Sequence, residues 1–364
     1  MRIVHVASVV DVLTKIRRGG RGQLIYLLAR KQADEGHDVT VIAAPSSRIE
    51  KCYTISFVNP PKPYRNKVVY YPIRRLKETE HSIKAYKWLG SNYDIIHNHI
   101  EFEGVAFSFL NKTPSITTLH GPLYSNPFTL LLTKLYSVPR RTKFVTYSKY
   151  TYTQFKKIYG DDLIGYVYGG VNVDEIPFVS KPIKSCDLQL CWVGRIVPTK
   201  GAHIAIAVAD RLHKQGHDVH LKLVGTLQHT CYKYFCKILH KANKRPYVSV
   251  KVNATKEEVA KSMGNSDVTL FPILWDEPFG FVMIESMACG TPVLAFPRGA
   301  TPEIIQNGLN GFLCNNITDM VYAILDISKI NRRKCRQIAR ERFGVDTMYR
   351  GYLKMYERIL EADG

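Results

Sequence analysis

Short apolar runs rich in Val and Ile alternate with helix-spaced segments along the whole of this 364-residue chain, and no other feature narrows its fold so far. A parallel sheet covered on both faces needs near-continuous apolar strands, and each crossover between parallel strands needs a connecting element, usually a helix. The alternation therefore predicts the α/β class. In the first half the expected strands are Arg2–Ser8, Asp38–Ala44, Val68–Pro72, Asp94–His97, Ser115–Leu119, Phe144–Tyr147 and Ile164–Tyr168. Between the first two, Arg21–Gly36 has helical spacing at Leu24, Leu27 and Leu28, and Gly36 supplies the stop. From Pro177 to Lys184 the period fails and a linker is expected. The alternation then restarts, with strands at Gln189–Val193, Val219–Val224, Val248–Val252, Val268–Phe271 and Pro292–Phe296. Helices are expected to begin near Ala202, Thr230, Thr255 and Gly280.

The length exceeds the usual single-domain range, so two doubly wound domains are expected, each with its own core. The boundaries read as 1–175 and 176–344, with a last helical stretch from Val345 to Leu360 (residues 345–364) returning to the first domain. Such sheets present ligands at the carboxyl ends of their strands, which here would face a central cleft.

The charge balance, +20 with 51 Lys and Arg against 31 Asp and Glu, attracts anions. Basic residues concentrate at Lys15–Arg21, Lys62–Lys87 and Arg332–Arg336. Solvated surface plus a site for an anionic nucleotide accounts for them. The sharper alternative is peripheral docking on an anionic membrane surface or a nucleic-acid acceptor, although no recognisable nucleic-acid motif is interleaved. The first strand soon meets Asp11 and Lys15, unlike the apolar core of a signal peptide. The longest uncharged run, Thr113–Thr133, holds three prolines and His120, so no transmembrane segment is expected. Eight dispersed cysteines read as reduced thiols, which points to the cytoplasm. His229, Cys231, Cys236 and His240 lie close together but match no familiar zinc spacing, and an amphipathic helix explains them.

The chemistry concentrates at expected strand ends. After the first strand, Gly19 and Gly20 precede a helix, where backbone N–H groups can approach an anion. The spacing is not that of a dinucleotide fold, and the acidic residue expected after its second strand is missing. Strand Gln189–Val193 runs into Gly194-Arg195, then Lys200-Gly201 and a helix, a setting in which an Arg fork and a Lys point charge bind a diphosphate. Glu277-Pro-Phe-Gly-Phe-Val-Met-Ile-Glu285 joins a strand end, a turn and a helix, so Glu277 falls in the loop and Glu285 on the following helix. One carboxylate can take sugar hydroxyls while the other reaches a ribose.

With these residues in view, the chain resembles glycosyltransferase family 4, the retaining family with the GT-B fold of two Rossmann-like domains. The likeness covers nearly the whole chain. It rests on Gly19-Gly20, Leu28–His37, Thr118-Leu-His120-Gly121, Val193-Gly194-Arg195 with Lys200-Gly201, and Glu277 to Glu285 followed by Gly290-Thr-Pro. The resemblance implies an acceptor-binding first domain and a nucleotide-sugar-binding second domain. Arg195 and Lys200 would hold the donor diphosphate, Glu277 the sugar and Glu285 the ribose. Backbone N–H groups of Phe279, Gly280 and Phe281 would assist at the phosphates, and His120 would sit against the donor sugar as an orienting or electrostatic group. Gly194 and the Gly19-Gly20 pair complete the donor site. The donor would be a UDP- or GDP-linked hexose and the acceptor a hydroxyl of a glycan, lipid or other glycoconjugate. No cofactor is implied, and no metal is needed, since Arg195, Lys200 and helix dipoles meet the phosphate charge. Where relatives often read Asn-Gly-Val-Asp, this chain has Gly169-Gly170-Val171-Asn172. A nucleic-acid acceptor, or binding of the nucleotide sugar without catalysis, is the competing reading.

Overall fold

A computed structural model describes residues 1–15, 20–62, 67–121, 142–183 and 185–363. The chain divides into two compact units, Met1–Gly170 with Val345–Gly364, and Val171–Gly344.

The first unit is a seven-stranded sheet of β1 (Arg2–Val6), β2 (Asp38–Ile42), β3 (Tyr53–Ile55), β4 (Ile95–Asn98), β5 (Ser115–Thr118), β6 (Thr142–Thr146) and β7 (Leu163–Tyr166). Their order is β3-β2-β1-β4-β5-β6-β7, and every pairing is parallel. β1 is buried between β2 and β4, with Ile3, Val4 and Val6 closed to solvent, as its apolar run requires. The helix Gly20–Asp34 covers the sheet and ends at Gly36, whose φ of 86° is the left-handed stop expected of it. The helix Val345–Asp363 belongs to this unit: Tyr352 and Tyr356 are fully buried, the Tyr349 hydroxyl lies 2.9 Å from His37 Nε2, and Lys31 pairs with Asp346 at 2.6 Å.

The second unit is a six-stranded parallel sheet of β8 (Leu188–Arg195), β9 (Val219–Thr226), β10 (Val248–Val252), β11 (Val268–Phe271), β12 (Val293–Ala295) and β13 (Gly311–Leu313), ordered β10-β9-β8-β11-β12-β13. In both sheets the order reverses beside the first strand, between β1 and β4 and between β8 and β11. Those are the switch points where an open α/β sheet binds ligands.

Three expectations are corrected. Val68–Pro72 is not a strand but the start of the helix Lys67–Trp88, with Pro72 in its first two turns. The helix buries Glu78, His81, Ser82, Ala85 and Tyr86, an i, i+3, i+4, i+7, i+8 pattern that is helical in space but hidden from a hydrophobicity reading by three polar members. The third strand is instead the short Tyr53–Ile55, while β13 went unread because three residues carry little period. Residues 177–183 are not a loose linker: the Val179 N–H donates to Cys289 O at 3.1 Å and its carbonyl accepts from Arg332 Nε at 2.8 Å, which packs them into the second unit.

Candidate functional site

In the second unit, the loops after β8 and β11 meet at the switch point. β8 carries Gly194 and Arg195 to its carboxyl end, and the 3₁₀ turn Pro198–Lys200 follows. Gly201 then adopts φ 73°, where a Cβ would stand 2.0 Å from the Pro272 carbonyl oxygen, so glycine lets the two loops close on each other. The contact is fixed by the Leu274 N–H donating to Thr199 O at 2.8 Å, and Trp192 Nε1 donates to Lys200 O at 2.9 Å.

This places Lys200 against Glu277, its Nζ hydrogen-bonded to Oε2. Trp275 Nε1 donates to the same oxygen at 3.0 Å, and the Lys200 ammonium lies 4.9 Å from the centroid of a Trp275 ring. Both charged side chains are largely buried, at 15% and 12% exposure, so the ion pair is shielded from the screening that weakens surface pairs. Arg195 stands apart, exposed, with Nη1 3.2 Å from Gln228 Oε1. The Glu277 backbone is braced by Ala300, whose N–H donates to Glu277 O at 2.8 Å, and by Gly299, where a Cβ would come within 2.3 Å of that same oxygen.

Gly280, at φ 100°, caps the helix Phe281–Ala288, the element whose first N–H groups were expected near phosphate. Phe279 is buried and packs edge-on against Phe281 and Phe343, with ring centroids 5.2 and 5.9 Å away. Its side chain anchors the turn, so only its backbone is available to a ligand. Glu285 lies partly buried on the helix. Trp192, Trp275, Gln228 and Gly299 were missed by the sequence reading; Trp275, two residues before Glu277, was the legible one.

In the first unit, Gly20 opens the helix Gly20–Asp34, while Gly19 lies outside the described residues. Arg21 Nε pairs with Asp11 Oδ2 at 2.5 Å. His120 follows β5, and its N–H and that of Gly121 donate to Glu101 Oε1 at 2.6 and 2.8 Å. The Tyr147 hydroxyl donates to the His120 carbonyl. His120 is not alone. β1 supplies His5, β4 supplies His97, and His99 follows β4. All three are closed to solvent. His5 Nδ1 lies 3.0 Å from His99 Nε2, and His99 Nδ1 lies 3.0 Å from His120 Nε2. Burial lowers the pKa of His5 to about 4. Burial, then neighbouring histidines, holds His97 and His99 well below the ordinary value, with Arg21 adding to the effect on His99; burial and then Arg21 does the same to His120. All four are neutral at pH 7. Only His120 was singled out from the sequence. The others were legible as polar residues in and just after apolar parallel strands.

Among the described residues, several members of the basic clusters are paired within the chain. Arg332 donates to the carbonyls of Val179, Ser266 and Gly264 and to Thr291 Oγ1 at 2.6–2.8 Å, and Arg336 to those of Ile176, Ala288 and Val173. In the 62–87 segment, Arg75 pairs with Glu103, and Lys77 and Lys84 with Glu80. Arg17 and Arg18 lie outside the described residues. Among the described residues no helix is long and apolar enough to cross a membrane.

Residues 18–175 match the family model described as Glycosyltransferase Family 4, and residues 174–342 the one described as Glycosyl transferases group 1. An uncharacterized glycosyltransferase of Methanocaldococcus jannaschii is 28% identical, over 81% of this chain and 86% of its own length. A glycogen synthase of Mycobacterium tuberculosis is 22% identical over 90% and 87%. Among solved structures, sucrose-phosphate synthase of Thermosynechococcus elongatus superposes with a TM-score of 0.82 at 17% identity, covering 100% of both chains. HepE of Anabaena, in complex with UDP and glucose, gives 0.76 at 19%, covering 98% of this chain and all of its own.

Proposed function

Because the chain belongs to glycosyltransferase family 4 and carries the GT-B fold, we propose that this glycosyltransferase moves a hexose, with retention, from a UDP- or GDP-linked donor to a hydroxyl of a glycan, lipid or other glycoconjugate. The observation that carries the reading is the shielded Lys200–Glu277 pair, with Arg195 nearby in sequence, at the carboxyl ends of the adjacent strands β8 and β11. One cluster there combines cationic, carboxylate and indole groups, which suits a ligand that is anionic at one end and hydroxylated at the other. The UDP and glucose bound by HepE support the UDP alternative.

In this reading Arg195 and Lys200 hold the diphosphate and stabilise the charge that grows on it as the glycosidic bond breaks. The backbone N–H groups of Phe279, Gly280 and Phe281, at a helix start, add to that stabilisation. Glu277 accepts hydrogen bonds from sugar hydroxyls and Glu285 from the ribose. Lys200 must then exchange part of its contact with Glu277 for phosphate, so its ion pair positions the ammonium before the donor arrives. His120 orients the donor sugar. The acceptor hydroxyl attacks from the face the nucleotide leaves, and a phosphate oxygen takes its proton, so no protein nucleophile is called on. Arg195, Lys200 and the helix dipole meet the phosphate charge without a metal. All eight cysteines are free, which fits the reducing cytoplasm, and a lipid acceptor would bring the enzyme to a membrane surface.

The test is thermal unfolding with a panel of UDP-, GDP- and ADP-sugars, followed by donor hydrolysis with the sugars that stabilise. A UDP- or GDP-hexose should raise the transition, and Glu277→Ala should abolish turnover while keeping affinity for the free nucleotide. Stabilisation without turnover of any donor, in the presence of glycan and lipid acceptors, would leave only a binding protein and overturn the proposal.

A further inference from the structure

At the switch point of the first unit a line of buried hydrogen bonds runs from Gln32 to His120, and the transfer reaction, as proposed, uses only its last member. Gln32 Oε1 lies 2.6 Å from His5 Nε2, His5 Nδ1 lies 3.0 Å from His99 Nε2, and His99 Nδ1 lies 3.0 Å from His120 Nε2. His120 Nδ1 is buried and has no hydrogen-bond partner among the described residues.

From these contacts we infer that Gln32, His5 and His99 are positioning residues that hold His120 as its neutral Nε2–H tautomer, so that Nδ1 offers a lone pair to a ligand hydroxyl. An amide oxygen only accepts, so His5 Nε2 must carry the proton. A neutral imidazole has one proton, so His5 Nδ1 is an acceptor and His99 Nε2 must donate to it. The same step makes His99 Nδ1 an acceptor and His120 Nε2 a donor, which leaves the lone pair on His120 Nδ1.

The amide of Gln32 is the switch for the whole line, and a second track turns on the same amide. Gln32 Nε2 donates to the Tyr356 hydroxyl at 3.0 Å, the Tyr356 O–H points to His97 Nδ1 at 2.7 Å, and His97 Nε2 faces Thr118 Oγ1 at 2.7 Å. Thr118 Oγ1 is in turn 3.2 Å from the Tyr352 hydroxyl. Turning the amide over would reverse every bond in both tracks at once, and Nδ1 of His120 would become a donor. The amide orientation therefore decides what kind of atom His120 presents: a lone pair selects a hydroxyl or another donor, whereas an N–H would select a phosphate or carboxylate oxygen. The relay stops at Gln32, whose amide oxygen is no proton sink, so it fixes a tautomer and moves no net proton.

The same histidines have a competing use. Ligand atoms of His5, His97 and His99 lie within 4.8 Å of one another, close enough for one metal ion. The hydrogen bonds argue against it. All six ring nitrogens of this trio are already paired in complementary fashion, and a divalent ion would break several of those bonds in a buried place with no carboxylate in the trio.

The experiment is a long-range ¹H–¹⁵N spectrum of the full chain labelled at histidine, recorded from pH 5 to 8, with His120 assigned by difference from His120→Asn. The expected result is a protonated Nε2 and a lone-pair Nδ1 at His5, His99 and His120, with His120 neutral at pH 7. Gln32→Leu should let His120 populate both tautomers and lower kcat/KM about tenfold, the loss of about one hydrogen bond. Gln32→Glu keeps an acceptor oxygen; it should retain the Nε2–H tautomer and raise the pH at which His120 charges. A wild-type His120 carrying its proton on Nδ1, an imidazolium at pH 7.5, a Gln32→Leu spectrum unchanged at His120, or one tightly held zinc ion per chain would each overturn the inference. Should Gln32→Leu fail to fold, the wild-type spectrum decides alone. The kinetic arm rests on the transferase reading and the spectra do not, so an inactive chain with the expected tautomers refutes the former and keeps the latter.

Discussion

Acid should loosen the first unit at a pH that leaves the second largely intact. Burial lowers His5 and His81 from about 6.5 to about 4, and it holds His97, His99 and His120 below the ordinary value as well. A histidine whose folded pKa is depressed contributes its full stability above pH 6.5. That contribution is lost as the pH falls toward the folded value, because the unfolded chain binds the proton first. At pH 5, one and a half units below the unfolded pKa, His5 and His81 each cost about 2 kcal/mol. Glu103 works the other way. Burial raises it to about 7 in spite of Arg75, so it takes up a proton in the folded state as the pH drops and returns about 2 kcal/mol between pH 7.5 and 5. These three groups leave a net loss of about 2 kcal/mol, and the other three histidines push further in the same direction. In the second unit burial lowers the half-buried His203 and His220. Hydrogen exchange in mild urea, corrected for intrinsic rates and read on peptides from β1 and β4 against β8 and β11, measures both units in one sample. The strand peptides of the first unit should lose protection between pH 7.5 and 5, and His81→Leu should reduce that pH dependence by about 2 kcal/mol. Equal or greater protection of β1 and β4 at pH 5 would refute the idea that these histidines are buried neutral.

Three substitutions test the second unit. Gly201→Ala drives a Cβ to within 2.0 Å of the Pro272 carbonyl oxygen at φ 73°; the urea midpoint should report a loss of at least about 2 kcal/mol. Arg332→Met strips donors from three carbonyls and Thr291 Oγ1, and about 3 kcal/mol should vanish in the same assay, whereas a loss below about 1 would show that water replaces the guanidinium. Lys200→Met should lower kcat on a stabilising donor by about 100-fold, in the range seen when one preorganised charge-stabilising donor is removed. A rate within threefold of wild type would take Lys200 out of the chemistry.

Local chemistry made much of this protein legible from its sequence. Parallel strands buried on both faces demand runs such as Val4–Val6 and Val268–Phe271, and these lie where the runs predict. Gly36 stops its helix because only glycine sits easily at positive φ. Arg195 ends its strand, and Lys200, Glu277 and Glu285 stand on the turn, loop and helix that follow strands, since period and turn residues are set within a few positions of one another. The helix Lys67–Trp88 escaped notice because its buried face is partly polar, with Glu78, His81 and Ser82 closed to solvent, and the strands Tyr53–Ile55 and Gly311–Leu313 were not expected.

What only the tertiary structure decided is which distant residues touch. Lys200 and Glu277, 77 positions apart, pair because the sheet sets β11 beside β8 and Gly201 lets their loops close. Arg332 and Arg336 look like surface charge in the sequence, yet they turn inward to the backbone carbonyls around them. The line from Gln32 through His5 and His99 to His120 joins a helix, the strand β1 and the loops that follow β4 and β5. A sequence specifies which hydrogen-bonding groups exist, but the direction of a hydrogen bond between two imidazoles depends on the next partner along, and that partner is supplied only by the packing of the fold.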